Sequence, residues 1–120
     1  PCLVYGETAG TIQNIRNAPL NSRRILSEEE FKTYGEKVTI FFDWCESEGM
    51  PLSFHHHMGT AVETEKDLDY LMQNTDESVS LLFDPGHMAF AGGNIYDIIN
   101  KYGKRINHFI ALRPILLGQF

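Results

Sequence analysis

Four short apolar runs alternate with three stretches of helical periodicity, and this alternation restricts the fold more than any other feature of the chain. The runs are CLVYGET, PLSFHHH, SVSLLFD and RINHFIAL. Each is the length of a buried strand and is bounded by Gly, Pro or polar residues. Between them lie segments too polar on one side to be strands. Strands that alternate with helices build right-handed βαβ units and a parallel sheet, so the chain reads as α/β. The first connection differs. It starts as a loop of Gly, Asn and Pro that runs to about Arg24 before any helix begins.

The helix boundaries are written in capping residues. Ser27 followed by Glu30 forms a capping-box pattern, and Glu28, Glu29 and Glu30 suit the positive end of a helix dipole. Phe31, Tyr34, Val38, Phe41, Phe42 and Cys45 recur at helical spacing, with Gly49 as the stop. Trp44, Phe41 and Phe42 are expected to pack this helix on the sheet. Thr64 and Asp67 open a second helix whose inner stripe is Leu68, Leu71 and Met72. Asn94 leads into a third, with Ile95, Ile98, Ile99 and Tyr102 inward and Gly103 at its end.

Composition removes several function classes. A formal charge of -6 on 120 residues offers no basic track for nucleic acid and no patch for an anionic membrane surface. Cys2 and Cys45 lie far apart in apolar surroundings, which suits a reducing compartment better than a disulfide framework. No leader and no membrane-length apolar run is visible, so a cytoplasmic location is expected. The chain enters an apolar run directly from Pro1, which reads as a start inside a larger protein.

The residues able to do chemistry fall in one place along the pattern. Glu7, the run His55-His56-His57, Asp84, His87 and His108 all lie on, or just after, an expected strand, mostly at its C-terminal end. In parallel α/β folds that end carries ligands and catalysis. Side chains alternate along a strand, so His55 and His57 share a face and His56 points the other way. Taken singly, each residue has a plain structural reading. A strand-end histidine often satisfies backbone carbonyls, and Asp84 before Pro85-Gly86 suits a turn. Three successive strands delivering such groups to one end argue for a site. Carboxylate with imidazole suits Mn, Co, Zn or Fe(II), and also suits acid–base catalysis without a metal.

The stretches YGETAGTIQ, LSFHHHMGTAVETEKDLDYLM and LLFDPGHMAFAGGNIYDIINKYGKRINHF closely resemble the inosose dehydratases of inositol catabolism. These are members of the xylose isomerase-like, or AP endonuclease family 2, superfamily. The resemblance runs from about Leu3 to Phe109. It implies a (β/α)8 TIM barrel, of which 1–120 would be a single partial domain from the central portion, since a whole barrel takes roughly 250 residues. It implies loss of water from scyllo-inosose (2-keto-myo-inositol), a small polyol ketone, assisted by a divalent metal, Mn or Co, with glutathione linked to activity. Carried over by motif, His55 and Asp84 are expected to bind the metal. His57 and His87 are expected to serve catalysis and substrate contact, and Glu7 to reach substrate hydroxyls. His56 is expected to be structural.

The resemblance breaks at 110–120. The family continues with a second His and then Lys-Asp, where this chain has Ile110, Leu112 and Arg113 after His108. Isoleucine binds no metal. A shifted reading frame can encode His-Cys in place of Ile-Ala, which is one account of the break; a chain that has lost its metal is the other. A sugar isomerase or epimerase of the same superfamily is the neighbouring enzyme reading. A truncated, non-catalytic piece that self-associates through open barrel edges is the alternative of a different class.

Overall fold

The structure is a computed structural model that describes residues 3–110. Strand β1 is Leu3–Gly6, β2 is Leu52–His55, β3 is Ser80–Phe83 and β4 is Ile106–Phe109. They form one sheet in the order β1-β2-β3-β4, and every neighbouring pair is parallel. Sequential order in a parallel sheet is what successive right-handed βαβ units produce. The helices are α1 (Glu28–Ser47), α2 (Glu65–Gln73), α3 (Pro85–Phe90) and α4 (Ile95–Tyr102). The stretch of the chain past Ile110, where the resemblance breaks, lies outside the described residues, as does Cys2.

The expected caps are formed. Ser27 Oγ accepts the Glu30 N–H, and the Glu30 carboxylate accepts the Ser27 N–H at 2.8 Å. Thr64 and Asp67 make the same reciprocal pair at the start of α2. Gly49 follows α1 with φ 78°, the left-handed turn that glycine reaches without strain. Helix α3 was not expected. The Asp84 side chain, read from the sequence as either a turn residue or a ligand, caps this one-and-a-half-turn helix by accepting the His87 N–H, and Pro85 occupies its first position.

The helices cover one face of the sheet. Leu52 and Phe54 of β2 and Leu81 and Phe83 of β3 join Phe31, Val38, Phe42, Leu68, Leu71 and Ile98 in one buried apolar cluster. These strand residues sit at every second position, as the pleat requires. Helices α1 and α2 meet closely at Gly35, where a Cβ would run into the backbone of Asn74. Phe42 is buried as expected, and Phe41, 42% exposed, meets the Tyr5 ring of β1 edge-on; Trp44, 56% exposed, stacks on Phe41 from the solvent side. Phe41 and Trp44 lie three positions apart on one side of α1, and Phe42 is turned from Phe41 by about 100° around the axis. Ile99 is likewise turned outward, while Ile98 is fully buried. Among the described residues no helix is long and apolar enough to cross a membrane.

Candidate metal centre at the strand ends

The other face of the sheet is polar. Ser53, His55 and Ser80 alternate with the core-facing residues, and Leu82 pairs in register with His55. On β4 the register slips: Leu81 aligns with Ile106, but Leu82 aligns with His108. A bulge at this point adds one residue to β4 and brings His108 into register with Leu82. Asn107, the extra residue, accepts a short hydrogen bond from the Ser53 hydroxyl. Simple alternation from the sequence cannot find this, because a bulge shifts the parity of every residue after it.

At the C-terminal ends of β2 and β3, three ligand groups converge. His55 is the last residue of β2, Asp84 directly follows β3, and His87 lies in the first turn of α3. One ligand atom from each lies within 4.8 Å of the other two. His55 Nε2 is 3.4 Å and His87 Nε2 3.5 Å from Asp84 Oδ2. Donors on a tetrahedral zinc at about 2.05 Å lie roughly 3.3 Å apart, so this spacing fits a bound divalent ion. The donor chemistry fits as well. Burial is the main influence on His87 and lowers its proton affinity, which favours the neutral imidazole that binds metals. Asp84 is 1% exposed and supplies the balancing charge.

The two remaining histidines of the run separate by role. His57 lies past the end of β2. Its Nδ1 is 2.7 Å from the Met58 carbonyl oxygen, so Nδ1 carries the proton and donates it. That bond engages Nδ1 and not Nε2, and the ring packs against His87 with centroids 3.7 Å apart. His56 is fully buried against Phe83 on the helix side of the sheet. Its Nε2 accepts the Asp84 backbone N–H at 3.1 Å. Burial holds its pKa down to about 4, so it is neutral.

Glu7 stands apart from the three-ligand group. Its Oε2 accepts the Ala61 N–H at 3.0 Å, and burial raises its pKa. The loop after β1 is fastened to the loop after β2 by this bond, by the Ile12 N–H on the Gly59 carbonyl, and by Arg23. Arg23 pairs with Glu63 at 2.9 Å and Asp67 at 3.0 Å and donates to the Thr60 carbonyl at 3.2 Å. Gly59 has φ 78° and lies so close to Gln13 that a Cβ would meet its N at 3.1 Å. Nothing in the sequence marked Arg23, since one arginine in a polar loop carries no pattern. A separate cleft of about 400 Å³ at the start of α1, lined by Arg24, Tyr34 and Lys37 among others, holds none of the histidines.

No family model matches the chain. Individual relatives do. It is 44% identical over 107 residues to the rhizopine catabolism protein MocC of Rhizobium meliloti, which covers 88% of this chain and 33% of that protein. It is 38% identical over 108 residues to the inosose dehydratase of Clostridium perfringens and 40% identical to that of Clostridium beijerinckii, in each case over 88% of this chain and 36% of the relative. The chain thus spans about a third of the length of the curated relatives it matches. Two solved structures superpose with a TM-score of 0.58. One is the probable 3-DHS dehydratase AsbF of Bacillus anthracis, involved in petrobactin synthesis, at 16% identity over 75% of this chain and 32% of that one. The other is the IOLI protein with a bound zinc atom, at 22% identity over 73% and 33%. At these identities the two likenesses bear on the fold alone. In the third of such a protein that it spans, the chain is a homologue of the inosose dehydratases, folded as part of a TIM barrel.

Proposed function

We propose that the chain carries part of the active site of a metal-assisted dehydratase that removes water from scyllo-inosose in inositol catabolism. One observation carries this reading. In a sequence 38–40% identical to inosose dehydratases, His55, Asp84 and His87 converge at the strand ends with the spacing of a metal site. A zinc atom in the IOLI protein and a dehydration in the name of AsbF support the same chemistry on this fold.

Elimination beside a ketone needs a polarised carbonyl, a base for the adjacent C–H, and an acid for the departing hydroxyl. His55, Asp84 and His87 would hold the divalent ion, Mn or Co in this reading. Held there, such an ion would supply Lewis acidity to polarise the substrate's carbonyl. His57 Nε2 takes the proton from the carbon next to the ketone. That C–H pair forms the new C=C bond as the C–O bond on the next carbon breaks. The proton held by His57 then goes to the departing hydroxyl, water leaves, and the histidine returns to its neutral form. His87, packed on His57, keeps that ring in place and faces the substrate with it. Glu7 would accept hydrogen bonds from ring hydroxyls while the Ala61 N–H steadies its carboxylate.

The test is a paired assay on the purified chain with Mn or Co added, with and without glutathione. Loss of scyllo-inosose, appearance of the dione product and metal content are followed together. The expected result is turnover and metal uptake that disappear together in Asp84→Ala. A wild-type chain that takes up neither metal nor substrate overturns the assignment for this chain.

A further inference from the structure

His56 is buried on the helix side of the sheet, edge-on to the His55 ring, and it touches the residue at the centre of the site. Strands β2 and β3 stop pairing after His55 and Leu82. The next donor along β3's path, the Asp84 N–H, therefore has no backbone acceptor on the neighbouring strand. It is buried with a residue that is 1% exposed, where an unmade hydrogen bond is costly. The His56 ring fills this place: its Nε2 accepts the Asp84 N–H at 3.1 Å. The imidazole acts as one more rung of the ladder at the point where the strands part.

The exchange brings little stability in itself. With Nε2 accepting, the proton must sit on Nδ1, and Nδ1 is buried without a partner among the described residues. One stranded N–H has replaced another. What the ring gains is direction. Asp84 is held at four points: its N–H on His56, its carbonyl by the Met88 N–H, its Oδ1 on the His87 N–H, and its Oδ2 between His55 and His87. The bonds to His56 and Met88 come from outside the ligand group, and only the one to His56 crosses from the neighbouring strand's end.

We propose that His56 is a positioning residue: by accepting the Asp84 N–H across the open end of the sheet, it sets the backbone from which the Asp84 carboxylate reaches His55 and His87. The role at the metal rests on the functional reading above; the hydrogen bond to Asp84 does not. Removal of partners that orient metal ligands typically lowers metal affinity 10–100-fold.

The experiment compares wild type, His56→Gln and His56→Leu. Gln places an amide oxygen near the position of Nε2 and restores the acceptor; Leu fills the volume without one. Two quantities are read: hydrogen exchange of the Asp84 amide, and affinity for Co(II) alone. The expected result is a protected Asp84 amide in wild type and in the Gln variant, with exchange at least tenfold faster in Leu and Co(II) affinity 10–100-fold lower in Leu only. Equal protection and equal affinity in all three overturn the proposal. If wild type binds no Co(II), the functional reading fails, while the exchange arm still decides the positioning role. If the Leu variant does not fold, wild type alone decides by NMR. An Asp84 amide coupled through its hydrogen bond to an unprotonated His56 Nε2 supports the proposal, and a protonated Nε2 overturns it.

Discussion

The two faces of the sheet are built from the same strands and obey different rules. On the helix side, Leu52, Phe54, Leu81 and Phe83 join the side chains of α1, α2 and α4 in one apolar cluster. On the other side, Ser53, His55, Asp84 and Asn107 form a polar layer tied by a hydrogen bond between Ser53 and Asn107 and by the approach of His55 to Asp84. The first face holds the fold through area removed from water, a force with no direction. The second holds geometry through a few directed contacts that add little net stability. His56 joins them, since its ring packs with the apolar side and its nitrogen reaches around to the backbone of Asp84.

Substitutions that treat the two faces alike should therefore give unlike results. The largest effect is expected for Phe31→Ala, which empties a fully buried position in the cluster. A loss of about 3–5 kcal/mol in urea denaturation is expected. Ser53→Ala on the opposite face should cost no more than about 1 kcal/mol. Equal losses would mean the polar face is a second core rather than a site.

Acidification should strike at the junction. The His56 pKa is about 4 when folded and near 6.5 when unfolded, so the unfolded chain binds the extra proton first. Stability is whole above pH 6.5 and falls as pH drops toward 4, by up to about 3 kcal/mol from this group. His87, lowered by burial, acts in the same direction, with Asp84 opposing at both. Urea midpoints measured between pH 7 and 4.5 should show a shallower slope in His56→Gln than in wild type.

Asp84→Asn keeps the acceptor for the His87 N–H and removes the charge between the two imidazoles. A Co(II) titration should show affinity reduced at least tenfold, with a melting temperature shifted by no more than about 2 °C. A large melting shift with intact affinity would assign Asp84 to capping alone. Trp44→Ser is expected to be the mildest change, within about 0.5 kcal/mol, because Trp44 stacks on Phe41 at the outer surface of α1. A larger loss would show that this outer aromatic pair belongs to the packing after all.

Much of this was legible in the chain itself. The order of strands and helices, both capping boxes, the inner stripe of α2 and the clustering of histidines with Asp84 at strand ends all follow from local rules. Period, cap chemistry and the alternation of a strand need only a few neighbouring residues. The sidedness of His56 followed from the same alternation.

What local rules left open was settled by contacts between distant segments. Helix α3 depends on Asp84 turning back to cap it, in a place that also reads as a turn. The outward tilt of Phe41 and Trp44 depends on how α1 lies on the sheet. The bulge that brings His108 into register with Leu82 depends on the pairing of β3 with β4. The clamp of Arg23 on Glu63 and Asp67 joins loops some forty residues apart. Sequence by itself determined which elements form and which chemical groups stand at their ends, because those are short-range properties of the backbone and its side chains. Tertiary structure alone decided which of those groups meet within the few ångströms that ligation and proton transfer require, because that distance is set by strand register and helix packing across the whole chain.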